Sequence, residues 1–194
     1  MTETTLDPDL VEQFVTACHS DLARVTSLLA EHPSLLNARS KLNEAGIEAA
    51  AHVNQRPIVE FLLAKGAPLD ICTAVMLGRK DTVRDMVEAV PDVSRAAGAH
   101  GIPVMTFAAI SGSLEIAELL FKKGAPLDAE PGVMTPIHMA VYMDRADMVD
   151  WLIEHGAKVD ATYSGMTPVV FAEKQKRERV LDVFRRHGTS EAAV

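Results

Sequence analysis

The spacing of two short motifs constrains this chain more than any bulk property. Thr135-Pro136 and Thr167-Pro168 stand 32 residues apart, and Gly124, Gly156 and Gly188 close their segments at the same interval. Within an interval, a short apolar run follows the proline and a polar turn such as Asp144-Arg145-Ala146-Asp147 interrupts it. A second run, such as Met148, Val149, Leu152 and Ile153, then returns at helical spacing. Proline suits the first helical position because the N–H it lacks would be unpaired there anyway. Glycine ends a helix in left-handed geometry without strain. Helices this short are marginal in water. Each pair therefore needs neighbours of its own kind to bury its apolar face.

The chain supplies them. Phe107-Ala108-Ala109-Ile110-Ser111-Gly112 and Glu118-Leu119-Leu120-Phe121-Lys122-Lys123-Gly124-Ala125 keep the same frame, so three units agree over residues 101–188. A period near 33, opened by Thr-Pro and closed by Gly-Ala, resembles the ankyrin repeat. That resemblance implies an all-α fold: an ankyrin-repeat solenoid of about six helix–turn–helix units with short or degenerate β-hairpin fingers. The expected units lie at about 9–40, 41–67, 68–91, 92–125, 126–157 and 158–188, in a single domain over 1–194 with atypical capping units at both ends.

Individual units depart from the pattern in readable ways. The first has two helical stripes (Leu10, Val11, Phe14, Val15, Cys18; then Val25, Leu28, Leu29) but no opening signature, and His32-Pro33 closes it. Asp7-Pro8-Asp9 can start its first helix after a solvated leader over residues 1–8. Asn54 takes a turn position where the family usually has Gly. From Asn54 to Gly78 is 24 residues, against 34 from Ser20 to Asn54 and from Gly78 to Gly112. The finger between the second and third units is therefore expected to be missing, leaving a gap in the rim. Pro103 stands one place early, so the helix start beside it is expected to shift by one residue. Leu28, Leu29, Leu62, Leu63, Leu119, Leu120, Leu152 and Ile153 are expected in the core.

A formal net charge of −8 argues against a surface built for phosphate contacts. Cys18 and Cys72 are too few for a disulfide framework and lie among apolar neighbours, so both are expected to be buried. Met1–Asp7 has neither a basic start nor an apolar core, and no apolar run approaches the ~20 residues of a membrane span. The expectation is a cytoplasmic protein, monomer or weak homo-oligomer, with another protein as partner and no nucleic acid or membrane.

No phosphate loop, nucleophile elbow or His-Glu-x-x-His pair is present. The seven histidines are scattered along the sequence and predict no metal cluster; neither a cofactor nor a catalytic residue is expected, and the chain reads as no enzyme. The resemblance implies that His138, in Thr-Pro-Ile-His, bonds to backbone and to the threonine hydroxyl. Asp150, Glu154 and His155 read as a solvated face, and the charge run 173–179 with Arg185-Arg186 as a solvated cap.

What remains is surface. The resemblance implies docking on the concave side, formed by finger tips and the exposed side of each first helix. The candidate partner-binding residues are Met134, Tyr142, Met143, Tyr163, Met166, Ile102, Ile110, His52 and Val53, an apolar set of the kind that marks binding surfaces. Met76 and Leu77, beside the shortened connection, are expected to be covered. Two alternatives stand beside this reading. One is a small enzyme or ligand-binding protein using the gap as a pocket, with His52, His100 and Thr73 as its polar groups. The other is a structural protein that homodimerises through the apolar patch.

Overall fold

Capping residues set where the helices of this chain begin. The computed structural model describes residues 6–189, so residues 1–5 of the expected leader lie outside the described residues. Asp7 accepts a hydrogen bond from the Asp9 amide and starts α1 (Pro8–Ala17), and Asp21 likewise caps α2 (Leu22–Glu31). There follow α3 (Gly46–His52), α4 (Arg56–Ala64), α5 (Ile71–Met76) and α6 (Lys80–Ala89). The second half holds α7 (Val104–Ser111), α8 (Leu114–Lys122), α9 (Pro136–Tyr142), α10 (Ala146–Glu154), α11 (Pro168–Lys174) and α12 (Glu178–Arg186). Thr135 and Thr167 cap α9 and α11, with a proline at the first helical position of each. At α7 the structure corrects the sequence reading. Val104 begins the helix in the unshifted 32-residue frame, and Pro103 takes the extended capping place instead.

The helices pack in two layers. The odd-numbered helices stack in chain order, α1 on α3 on α5 on α7 on α9 on α11, and each even-numbered helix packs on its own partner. Small residues permit the close stack: Ala49, Ala50, Ala51, Ala74, Ala108, Ala109, Ala140 and Ala172 are all buried along it. At Gly46 a β-carbon would come within 2.7 Å of a Phe14 ring carbon and 2.8 Å of the Cys18 sulfur, so this contact between α1 and α3 admits no side chain. Helix α7, covered on both sides, buries every residue from Val104 to Ile110.

Turns inside the units use the left-handed region. Asn54, Gly78, Gly112, Asp144 and Lys176 have φ of 60°, 70°, 72°, 54° and 56°. Asn54 thus does what the glycines do, as its short polar side chain permits. Unit ends close with a bond across the last turn, such as Ala157 N–H to the Leu152 carbonyl at 2.9 Å. The fingers carry almost no strand. Among the described residues there are three isolated bridges, Arg39 with Ala45, Ala97 with Pro103, and Tyr163 with Met166. Between α4 and α5 only residues 65–70 intervene, without a bridge, so the finger expected to be missing there is missing.

Cys18 and Cys72 are buried free thiols, and burial pushes the Cys18 thiol up to about 12. Of the eight residues expected in the core, Leu28, Leu29, Leu62, Leu120 and Leu152 are buried. Leu63, Leu119 and Ile153 are only partly buried against it. Each stands next to a buried residue in sequence (Leu62, Leu120 and Leu152), about 100° round its helix from it, which turns it towards the edge of the layer. No helix among the described residues is long and apolar enough to cross a membrane.

Leu120, fully enclosed, is expected to cost about 2–5 kcal/mol on substitution by alanine, and partly covered Leu119 distinctly less. Urea unfolding of the two variants side by side checks the assignment, and equal losses would contradict it.

Candidate functional site

The sequence-derived residues divide once their surroundings are visible. Tyr142, the last residue of α9, is 49% exposed, and Val53, at the end of α3, is 37% exposed. Met134, Met143, Tyr163 and Met166 are half-buried; the three methionines pack against the core, and Tyr163 lies against the His138 ring. Ile110 and Ile102 are 1% and 9% exposed, so neither presents an apolar surface. The reason is the stack: α5 and α9 cover α7 from both sides, and Ile102 closes the finger over it. Met76 and Leu77 are buried, as expected. The remaining set is not one patch. Met134, Tyr163 and Met166 lie at the finger end of α9, while Tyr142 and Met143 lie at its other end, about 10 Å away for a seven-residue helix.

Hydrogen bonds hold both ends. His138 is fully buried, and its Nε2–H donates to the Met166 carbonyl at 3.0 Å. Nδ1 must then accept from the Thr135 hydroxyl at 2.7 Å, while the Thr135 oxygen accepts from the His138 amide at 3.3 Å. The side-chain role implied by the resemblance is thus met, and the same ring ties α9 to the next finger. That finger turns at Ser164 and Gly165, with φ of 51° and 74°, the two-residue mirror-image turn that suits a hairpin. At the other end, Arg177 donates from Nη2 to the Tyr142 carbonyl at 2.8 Å, which fixes the backbone beneath the exposed ring.

Three of the seven histidines cluster, which the sequence reading did not expect. His19 and His52 lie with ring centroids 5.1 Å apart, and His52 and His100 with theirs 5.3 Å apart. Glu44, only 4% exposed, sits among them. Its Oε1 lies 3.0 Å from His52 Nδ1 and 3.3 Å from His100 Nε2. His52 Nδ1–H is aimed at the Glu48 carbonyl, 3.2 Å away, so the buried Oε1 has no aligned donor. Burial pushes the Glu44 carboxyl up, but the His52 contact and the surrounding rings of His52, His100 and His19 outweigh it and hold it below its ordinary value.

The missing finger makes this meeting possible. With nothing between residues 65 and 70 to fill the rim, the finger at 97–103 descends towards α3. Gly98 allows it, because a β-carbon there would lie 2.8 Å from the Phe107 ring and 3.5 Å from the Cys72 sulfur. The gap that remains is a cavity of about 390 Å³, and Arg39, Glu48, Asp70 and His100 give it a polar lining. Of the three polar groups expected there on sequence grounds only His100 lines it: Thr73 is fully buried in α5, and His52 lies outside the cavity. Of Asp150, Glu154 and His155, expected to form a solvated face, only Glu154 is exposed. Asp150 pairs with His187 at 2.6 Å and with Arg186 at 3.3 Å, and His155 stacks on Trp151 at 4.0 Å between ring centroids.

A family model for ankyrin repeats (three copies) matches residues 71–163 and 107–189, together more than half of the chain. The chain belongs to the ankyrin-repeat family. Ankyrin repeats are generally protein–protein interaction modules, and the family is typically non-catalytic. No curated protein matches this chain. His19, Glu44 and His52 precede the first residue of the ankyrin match. Leu42, 74% exposed at the tip of the first finger, also escaped the sequence reading, although a leucine between Lys41 and Asn43 in a turn was a visible signal.

Burial lowers the His138 pKa below its ordinary 6.5, and the bond to Met166 opposes this only in part. The unfolded chain therefore takes up this proton first as pH falls. The stabilising contribution is complete above about 6.5 and is lost as pH drops below it towards the folded value, by at most about 1.4 kcal/mol per pH unit. Urea midpoints at pH 7.5 and 5.5 are expected to fall further for the native protein than for His138→Gln. Equal falls would remove His138 from the acid response.

Proposed function

We propose that this protein is a non-catalytic recognition module, a cytoplasmic scaffold that binds another protein through the concave surface of its first helices and finger tips. It does so as a monomer or weak homo-oligomer. The observation that carries the reading is Tyr142: a half-exposed aromatic ring at the end of a helix whose other residues are buried, on backbone held by Arg177. Tyrosine supplies a large amphipathic contact at low entropic cost, and rigid aromatic anchors are enriched among interface hot spots. Met143 beside it extends the apolar area, and Val53 stands exposed at the corresponding turn of α3, further along the array. Leu42 adds an apolar finger tip. Met134, Tyr163 and Met166 form the finger end of the same surface, and His138 sets their position relative to α9. Ile102 and Ile110 contribute from beneath, as packing.

A second reading is favoured by one observation. The gap is polar rather than closed and apolar, which suits a small-ligand site.

Tyr142→Ala is expected to weaken binding by roughly 1–3 kcal/mol, as a central aromatic anchor would. The partner is first obtained by affinity capture from native cell extract with the unmodified protein. Titration of both forms against it gives the difference, and an unchanged affinity would place the docking surface elsewhere.

A further inference from the structure

Four groups far apart in sequence converge at one end of the stacked helices, and the ankyrin scaffold has no evident use for them. His19 stands at the end of α1, His52 at the end of α3, Glu44 on the first finger, and His100 at the tip of the finger that spans the gap. One donor atom each from His19, Glu44 and His52 lie within 4.8 Å of one another. His100 Nε2 approaches the same Glu44 oxygen at 3.3 Å.

We propose that His19, Glu44 and His52, with His100 closing over them, bind one divalent transition-metal ion, zinc in the first instance.

The donor chemistry points that way. Two or three imidazoles with one carboxylate form a borderline set that suits zinc and its neighbours and does not suit calcium or magnesium, which take oxygen shells. The Cys18 sulfur is not among the donors that converge, so no sulfur ligand is expected. The positioning is also in place. His19 Nδ1–H donates to the Val15 carbonyl at 3.0 Å, which leaves the lone pair on Nε2, the backbone-anchored arrangement typical of metal-bound histidine. Glu44 is the strongest pointer. A buried carboxylate oxygen without an aligned donor is costly, and a cation at the centre of the cluster would satisfy it. His100 has φ 58°, the left-handed turn at the tip of its finger. Bringing the donors to the ~2.0–2.2 Å of zinc bonds needs the cluster to close by about an ångström. The 41% exposed His100 side chain, on its finger tip, has room for that movement. The ion would join the first, second and fourth units.

The test is titration of the full-length protein, stripped with chelator, with zinc in a calorimeter. One ion per chain at micromolar affinity or tighter is expected. Cobalt in its place should give d–d absorption without a thiolate charge-transfer band. His52→Ala is expected to weaken zinc binding by roughly 100-fold or more, beyond what loss of an outer-shell partner costs. His19→Gln, a milder change at the end of α1, should act in the same direction with its helical circular dichroism intact. His187→Gln, which removes the ring paired with Asp150 at the other end of the array, should leave zinc affinity unchanged. Absence of zinc binding, or a thiolate band with cobalt, overturns the proposal. So does affinity that survives both His52→Ala and His19→Gln, or that disappears in His187→Gln.

Discussion

Everything in this molecule rests on how closely each first helix lies against the next. A short helix cannot hold its shape alone, and here its partner within the unit covers only one side. The other sides are covered by first helices before and after it, with small residues buried along the stack. Gly46, where any β-carbon would strike Phe14 and Cys18, shows how little slack there is. The stack dictates which residues stay outside. Ile110 is enclosed between neighbours, whereas Tyr142, at the end of α9, has its ring half in water. The surface offered to a partner is the remainder after stacking, which is why it gathers at helix ends and finger tips.

The second unit and the fourth depart from this regularity together. Loss of one finger between α4 and α5 leaves space in the rim, and the following finger leans into it because Gly98 presents no side chain to Phe107. That displacement carries His100 across an entire unit to Glu44. Polar lining in the gap and the histidine cluster beside it are thus two results of one shortening.

Much of the scaffold was legible because repeats place the same physics at the same interval. Pro136 and Gly156 signal a helix start and a left-handed end, and both are found in those roles. The 24-residue interval from Asn54 to Gly78 revealed the absent finger. The site was much less legible. Exposure at Ile102 and Ile110 depends on neighbouring units, so position within a repeat misjudged both. The histidine cluster escaped altogether, because its members run from residue 19 to residue 100 and meet only through the fold. No periodicity joins them. Glu44 is the sharpest case: a glutamate on a finger reads as solvated, yet the finger at 97–103 and the ends of α1 and α3 enclose it.

The leaning finger also changes how the array should hold together as a thermodynamic object. An ideal solenoid behaves as a one-dimensional chain in which each unit senses only the units on either side, so it can fray or melt piecewise from an end. The contact between Glu44 and His100 joins units that are not adjacent. It adds a coupling across two steps, so the third unit cannot open without loss of the contact that straddles it. The second, third and fourth units thus share a contact that nearest-neighbour stacking alone would not give them.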